Sequence, residues 1–535
     1  MANKKFSEFT LKTDSANVDF VVGYDGTDNV RIAPDNLGGG GASDLNGLSD
    51  VTIENTDFNA YFIDIPASRS GDLGNLGLGV DALDNLTSGK YNLAIGANTL
   101  NNLTTSQNAT AVGYYAGAEA GTTLMGDTTL IGNRAGFGRS GYRTVAVGAG
   151  AMGFGSGKTA VNRNTAIGYH ALYRIDTNGA DNVALGHEAS QFLTTATKNI
   201  AIGDNAGRSS TATGHISIGY QAGYSNTSGT ENTNIGYEAG YSNSTGSYNT
   251  NLGYQALKTN TASNNTAVGY QAGTALTTGS DNVIIGKAAG QSQTTASGNV
   301  LIGLNAGING NGGQSTIIGY QAGDALQTGA GCTAVGYGAL SAEDFRGYHT
   351  AVGSFALSSV NSSTGYCTGL GRQAGSNFQN ANNSMCLGAN AQPSTNNVDD
   401  EITLGNSSIA TLRCQVTSIT ALSDERDKTD IEDLPYGLDF INSLNPKKFV
   451  WNNRVEIIKD INEDGEEIEK EVYSSNKGKK DVGFIAQELQ TVDDDYLSLV
   501  YDANPDKLEA TYGRLIPVLV QAIKELKAEV ELLKA

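Results

Sequence analysis

Along most of the chain the apolar positions come in short runs separated by polar stretches of nearly constant length. Asn164-Thr165-Ala166-Ile167-Gly168 is a typical run. It holds about four β-prone residues, and the alternation within it turns every second side chain to one face. A Gly/Ala turn follows, then a polar stretch of Thr, Ser, Asn and Gly. The unit reads Asn-x-(Ala/Val)-(Ile/Val/Leu)-Gly-x-x-Ala-(Gly/Leu). Twenty marker glycines, from Gly79 to Gly405, recur about every 17 residues, and every step between Gly186 and Gly353 is 16 or 17. That period is too short for two-helix repeats. One strand, one turn and one polar return per unit predict one coil of a parallel β-solenoid, with neighbouring coils roughly 4.8 Å apart. A glycine at the same place in each unit predicts a positive φ or a backbone approach too close for a Cβ.

Two further rows follow the period. Asparagine recurs four residues before the glycine, as at Asn164, Asn182, Asn199, Asn232, Asn249, Asn265, Asn282 and Asn299, and stacked amides can hydrogen-bond as a ladder. Tyrosine recurs just after the glycine, at Tyr114, Tyr169, Tyr220, Tyr237, Tyr254, Tyr270, Tyr320 and Tyr337. This row reads either as aromatic faces for glycan or as a stack that packs coils or subunits, and the stack is the favoured reading. Coils of Ala, Ile, Val and Gly bury little apolar area alone, which predicts a trimer whose chains cover one another's apolar faces.

The pattern stops near residue 422. Residues 423–535 carry 41 of the chain's charges and only 5 of its 69 glycines, as well as its single tryptophan, Trp451. Apolar residues there follow other periods. Ile516, Leu519, Ile523, Leu526, Val530 and Leu533 alternate by three and four, a coiled-coil seam on a terminal helix over 514–535. The acidic stretch from Asp460 to Lys470 departs from the order a calcium loop requires and reads as a solvated hairpin tip. At the front, residues 1–37 hold a strand-and-turn run around Phe20 and read as an attachment region. A Gly-rich linker and β-prone connector follow over 38–74, then the repeats over 75–422.

Composition narrows the function. The 535 residues carry a net charge of −21, which excludes a basic face for nucleic acid and attraction to an anionic membrane surface. No run of 18 apolar residues occurs, so no membrane insertion is expected. The N-terminus has no apolar signal-like core, so no secretory signal is expected. Cys332, Cys367, Cys386 and Cys414 form no Cys-x-x-Cys pair and the four histidines lie far apart, so neither a disulfide scaffold nor zinc is expected, and no cofactor.

The repeats resemble the head repeats of trimeric autotransporter adhesins, built from short Asn-x-Ala-Ile-Gly units in trimeric parallel β-rolls. They also resemble repeats of marine phage tail fibres. The tail, with Ser423-Asp424-Glu425-Arg426-Asp427-Lys428, then Gly483-Phe484-Ile485-Ala486-Gln487-Glu488 and the terminal helix, resembles the intramolecular chaperone of phage tailspikes and endosialidases. That resemblance implies a mainly β trimer: a solenoid shaft with a short N-terminal attachment region and an α+β chaperone domain. It further implies that the chaperone trimerises the shaft and then cuts itself off at Leu422–Ser423, with Ser423 as nucleophile and Lys428 as general base. Arg426 is a candidate oxyanion or structural partner, and Asp424 a supporting group. A serine becomes nucleophilic when a base takes its proton, and lysine can do so only when neutral, in a desolvated or electropositive site. The implied role is a virion tail fibre or tailspike made in the host cytoplasm. It would join baseplate or tail proteins through its N-terminus and bind a cell-surface glycan or protein receptor. The alternatives are a glycan-depolymerising tailspike, which needs paired carboxylates, and a bacterial trimeric adhesin.

Overall fold

The structure is a computed structural model. It describes residues 20–22, 30–32, 74–118, 126–139, 141–153, 161–176, 178–342, 347–361, 365–409, 411–415, 423–452, 455–461, 467–473 and 477–535. Most of the attachment region and all but one residue of the connector lie outside these residues. The strand expected around Phe20 is present: Phe20–Val22 (β1) pairs antiparallel with Val30–Ile32 (β2).

The chain divides into two compact units, Met1–Asp281 and Asn282–Ala535. Both contain the same coil. From Leu76–Leu78 (β3) to Ile402–Leu404 (β22), the described residues hold twenty short strands, one per period. Within the first unit each strand pairs in parallel with the next in sequence, for example Thr165↔Val183 and Ile200↔Ile216. The second unit repeats this pairing, as in Val300↔Thr316 and Thr333↔Thr350. The solenoid read from the period is therefore the observed architecture.

In most strands the middle residue points into its coil and is small, as with Ala146, Ala166, Ala184 and Ala267, all 0% exposed, while Ile284, Leu301 and Ile317 take the same buried place in three strands of the second unit. Larger apolar residues from the turns, such as Leu172, Leu193 and Leu276, fill the remaining interior. The marker glycines satisfy both expectations at once. Gly168 has φ +138°, and a Cβ there would lie 2.2 Å from the Gly186 carbonyl oxygen of the next coil. At markers such as Gly168, Gly186 and Gly236 the obstructing atoms are backbone of the following coil, which leaves no flexible atom to yield.

The asparagine ladder is present and buried. The backbone N–H of each ladder residue donates to the side chain one coil earlier: Asn182 to Asn164 Oδ1 at 2.9 Å, Asn199 to Asn182 Oδ1 at 3.0 Å, Asn249 to Asn232 Oδ1 at 2.9 Å. These bonds satisfy backbone donors that the strands alone leave buried. Other residues enter the ladder where they can mimic the amide oxygen. Ser315 Oγ accepts from Cys332 N at 3.2 Å, and His215 Nδ1 accepts from Asn232 N at 3.3 Å.

His215 gives the shaft a pH-sensitive rung. Burial lowers its pKa, opposed by the backbone groups of Gly229 and Asn232. A histidine whose folded pKa is depressed contributes fully above its ordinary value of about 6.5, and that contribution is lost as pH falls through the lower folded value. Protonation would also convert the Nδ1 acceptor into a donor facing Asn232 N–H. His215→Asn restores the majority rung, so its thermal midpoint should fall less between pH 7 and pH 5 than that of wild type. Parallel pH profiles in thermal denaturation would refute this.

The last residue of every strand from β3 to β22 is Ile, Leu or Val, and none is buried. Leu252 is 43% and Leu370 50% exposed. These residues point away from the coil interior, where a solvated sheet face would carry polar side chains.

The C-terminal part of the second unit is α+β. Leu438–Ser443 (α1) precedes Lys447–Val450 (β23), which pairs antiparallel with Lys480–Gly483 (β26). Val455–Ile461 (β24) and Glu467–Tyr473 (β25) form the expected hairpin, whose tip lies outside the described residues. Ala486–Leu489 (α2), Val500–Tyr501 (β27) and Glu509–Ala510 (β28) lead into Leu515–Lys534 (α3). Helix α3 has two apolar faces. Leu515, Val518 and Ala522 are buried, Leu515 and Val518 in a small core with Leu489, Leu497 and Leu499. Ile516, Leu519, Ile523, Leu526, Val530 and Leu533, the expected seam, are all exposed. Glu525 ties α3 to α1 by accepting from Leu438 N at 2.6 Å.

Candidate functional site

Ser423 opens a tight turn. Asp424 caps the 3-10 helix Glu425–Asp427, with its Oδ1 accepting from Arg426 N at 2.9 Å. The turn closes through Asp427 N to Asp424 O at 3.2 Å and Lys428 N to Glu425 O at 3.1 Å. Short polar residues at this spacing favour such a turn because their side chains satisfy the backbone donors it leaves open.

The turn brings Lys428 back over Ser423. Lys428 Nζ donates to Ser423 Oγ at 2.7 Å and to Ser423 O at 3.3 Å. That is hydrogen-bond reach for a nucleophile and a base. The two residues singled out in the sequence are thus brought together. Leu422, on the other side of the expected scissile bond, lies outside the described residues.

Arg426 is engaged sideways. Its Nε and Nη2 donate to the two carboxylate oxygens of Asp424 at 3.0 and 2.7 Å, a forked pair. The Arg426 side chain, then its backbone N–H, hold the Asp424 carboxyl below its ordinary value. Asp424 in turn raises Arg426. The fork braces the turn that carries Ser423 and Lys428. Ser423, Arg426 and Lys428 are all exposed. In the single chain the pair is therefore aligned and fully hydrated.

The tyrosine row is a stack. Tyr220, Tyr237, Tyr254 and Tyr270 follow one another at 5.0, 5.1 and 5.0 Å between centroids, with planes within 17° of parallel. Each ring covers its neighbour's face, so the row presents edges and hydroxyls. A sugar stacking on aromatic faces would need those faces open. The packing reading accounts for this row within the chain.

Several contacts escaped the sequence reading. Asp493 accepts from Leu499 N and Val500 N at 2.8 and 2.9 Å, and Asp494 accepts from Leu497 N at 2.9 Å and from the Tyr436 hydroxyl. Tyr501, on β27, reaches Glu401 and Ser394 near the last shaft strand. A run of three aspartates in a charged tail carries no signal separating such clamps from solvated charge, and a lone tyrosine carries none either.

The sequence pattern of the family described as chaperone of endosialidase matches residues 423–498, which begin at Ser423 and take in α1, α2, β23 to β26 and the Gly483–Glu488 block. No curated protein and no solved structure matches the chain. The family implies a trimeric assembly, in keeping with the exposed seam of α3. Residues 423–498 thus carry a chaperone of endosialidase segment, and this segment follows a parallel β-solenoid shaft in the manner of a trimeric fibre or tailspike.

Proposed function

We propose that the chain is a subunit of a homotrimeric phage tail fibre or tailspike, made in the host cytoplasm and carried on the virion. Residues 1–37 join it to baseplate or tail proteins. The solenoid forms the shaft that meets a glycan or protein receptor on the host surface. Residues 423–535 assemble the trimer and then cut themselves off between Leu422 and Ser423.

The observation that carries this reading is the outward aliphatic row. Ile, Leu or Val ends each of the twenty strands and none is buried within the chain. Twenty independent coils retaining an apolar residue on the wrong side of their own sheet call for a partner of the same period. Two further copies supply one in register, since each copy repeats every coil. The exposed seam on α3 supports association from the other end of the sequence, and the family implies that three copies take part.

Native mass spectrometry of the full chain should give three copies. Ile235→Asp with Leu252→Asp places two carboxylates on the row at a burial cost of several kcal/mol each if it is covered. The variant should lose the trimer while keeping the strand signature in circular dichroism. A variant that stays trimeric would reject the row as the assembly face. A single-copy wild type would reject the fibre.

A further inference from the structure

Glu401 occupies the last rung of the ladder. Its N–H donates to Ser384 Oγ at 3.2 Å, as each rung donates to the one before, and its carbonyl accepts from Met385 N at 2.8 Å. Inner rungs turn a side-chain acceptor toward the N–H of the following coil. Here β22 is the final strand, and the side chain is a carboxylate, which accepts more strongly than an amide oxygen. Four donors meet it: Ser394 N at 2.9 Å, Thr403 Oγ1 at 2.9 Å, the Ser394 hydroxyl, and Tyr501 O–H at 3.0 Å. Tyr501 also contacts Ser394 Oγ at 2.9 Å. The first three donors belong to the shaft. The fourth comes from β27, just beyond the matched chaperone segment.

Tyr501 is held firmly. Strand β27 pairs with β28 through Val500↔Ala510 and Tyr501↔Glu509. The Leu499 and Val500 backbone donors are clamped by Asp493, and Leu499 is 1% exposed in the small core beside α3. The hairpin therefore delivers the phenol without much freedom to lose. Around the contact is an open cleft of about 1100 Å³ lined by polar groups such as Ser358, Asn377, Gln392, Asn504 and Lys507. Phe355, Ile402 and Leu404 also line the cleft, and the hydrogen-bond cluster gives the contact its direction. Burial pushes Glu401 up, but the bonds from Ser394, Thr403 and Tyr501 outweigh it and hold the carboxyl below its ordinary value.

We infer that Glu401 is the docking site by which the chaperone segment recognises the completed end of the shaft, with Tyr501 as the residue that reads it. The carboxylate is in place only when the last coil has closed: Ser384 must hold its N–H, and Ser394 and Thr403 must orient its oxygens. An unfinished coil offers Tyr501 no acceptor. The inference deepens the proposed function and rests on the chaperone reading. It does not require self-cleavage.

The test uses the full chain carrying Ser423→Ala, so that processing does not enter the result. Hydrogen exchange is compared with and without Tyr501→Phe, which removes one hydroxyl and keeps the ring. Exchange should rise about tenfold both in peptides covering 394–405 and in those covering 499–511, with coils 233–268 unchanged. Glu401→Gln, which keeps the shape and removes the charge, should move the same two regions. Unchanged exchange in either region for both variants would overturn the docking role. In the chain with Ser423 intact, wild-type residues 423–535 should co-elute with the shaft after processing, while the Tyr501→Phe segment elutes free. If that chain is never cut, self-processing fails and the exchange comparison still decides the docking.

Discussion

Ser423→Ala should leave the chain whole under conditions where wild type separates into residues 1–422 and 423–535, read by intact-mass spectrometry after denaturation. In the proposed self-cleavage the step is an acyl shift followed by hydrolysis. Ser423 Oγ attacks the Leu422 carbonyl carbon while Lys428 Nζ takes the hydroxyl proton. The tetrahedral centre collapses to an ester as the Ser423 amine leaves with a proton. Water then splits the ester into a Leu422 carboxylate and a free Ser423 hydroxyl. Nucleophile and carbonyl belong to adjacent residues, so attack needs no encounter. Alanine removes the attacking oxygen, and the rate should fall by about six orders of magnitude.

Lys428→Arg tests the base. Arginine can reach the same hydroxyl and donate to it, but it does not become neutral in a protein. It should therefore abolish cutting as fully as Lys428→Met while leaving the turn formed. In the single chain, Nζ donates to Oγ at 2.7 Å in an exposed turn. A base must instead accept, which requires water to be excluded around Nζ. Neighbouring copies would exclude it, so cutting should appear only after trimers form. A folded wild-type trimer that remains whole would show that the Ser423–Lys428 contact is a turn contact alone.

Gly236→Ala should be among the most damaging single substitutions in the shaft. Its φ is +134°, and a Cβ would sit 2.3 Å from the Gly253 carbonyl oxygen. Strain and clash act together, and the obstructing atom is backbone locked in the neighbouring coil. The loss should be about 3–5 kcal/mol, at the upper end for point changes. Gly478→Ala separates the two causes. Its φ is +78°, but among the described residues nothing lies within 4 Å of the added carbon. That variant should lose only about 1 kcal/mol, from conformation alone. Thermal or denaturant midpoints measure both, and equal losses would mean that backbone contact between coils is not what excludes a side chain at the marker.

The shaft was legible because it is a one-dimensional problem. A strand of three residues, a glycine and a polar return repeat in register, so each coil's contacts are set by the same positions one period away. Alternation in Thr165-Ala166-Ile167 names the inward residue, and the recurring glycine announces a backbone restriction. Asn182 and Asn199 reveal the ladder because neighbouring coils place like above like. The Ser423–Lys428 pairing was equally accessible once the motif was recognised, since its geometry is made within six residues by a turn whose cap, Asp424, stands between them. The seam from Ile516 to Leu533 was visible from its spacing alone.

Contacts between residues far apart in sequence were decided only in three dimensions. Nothing local in Tyr501 distinguishes it from a surface tyrosine. Its partner Glu401 lies 100 residues away and becomes a rung only through the stacking of β22 on its neighbour. That Arg426 closes its fork on Asp424 was also visible only in the structure. The tyrosine row was likewise ambiguous in sequence, because spacing fixes which rings are neighbours and leaves their tilt undetermined. Tilt follows from how side chains pack as the coils stack, and packing at 5.0 Å turned the rings toward one another. Period and chemistry were written locally. Orientation and long-range pairing depended on free energies summed over the whole fold.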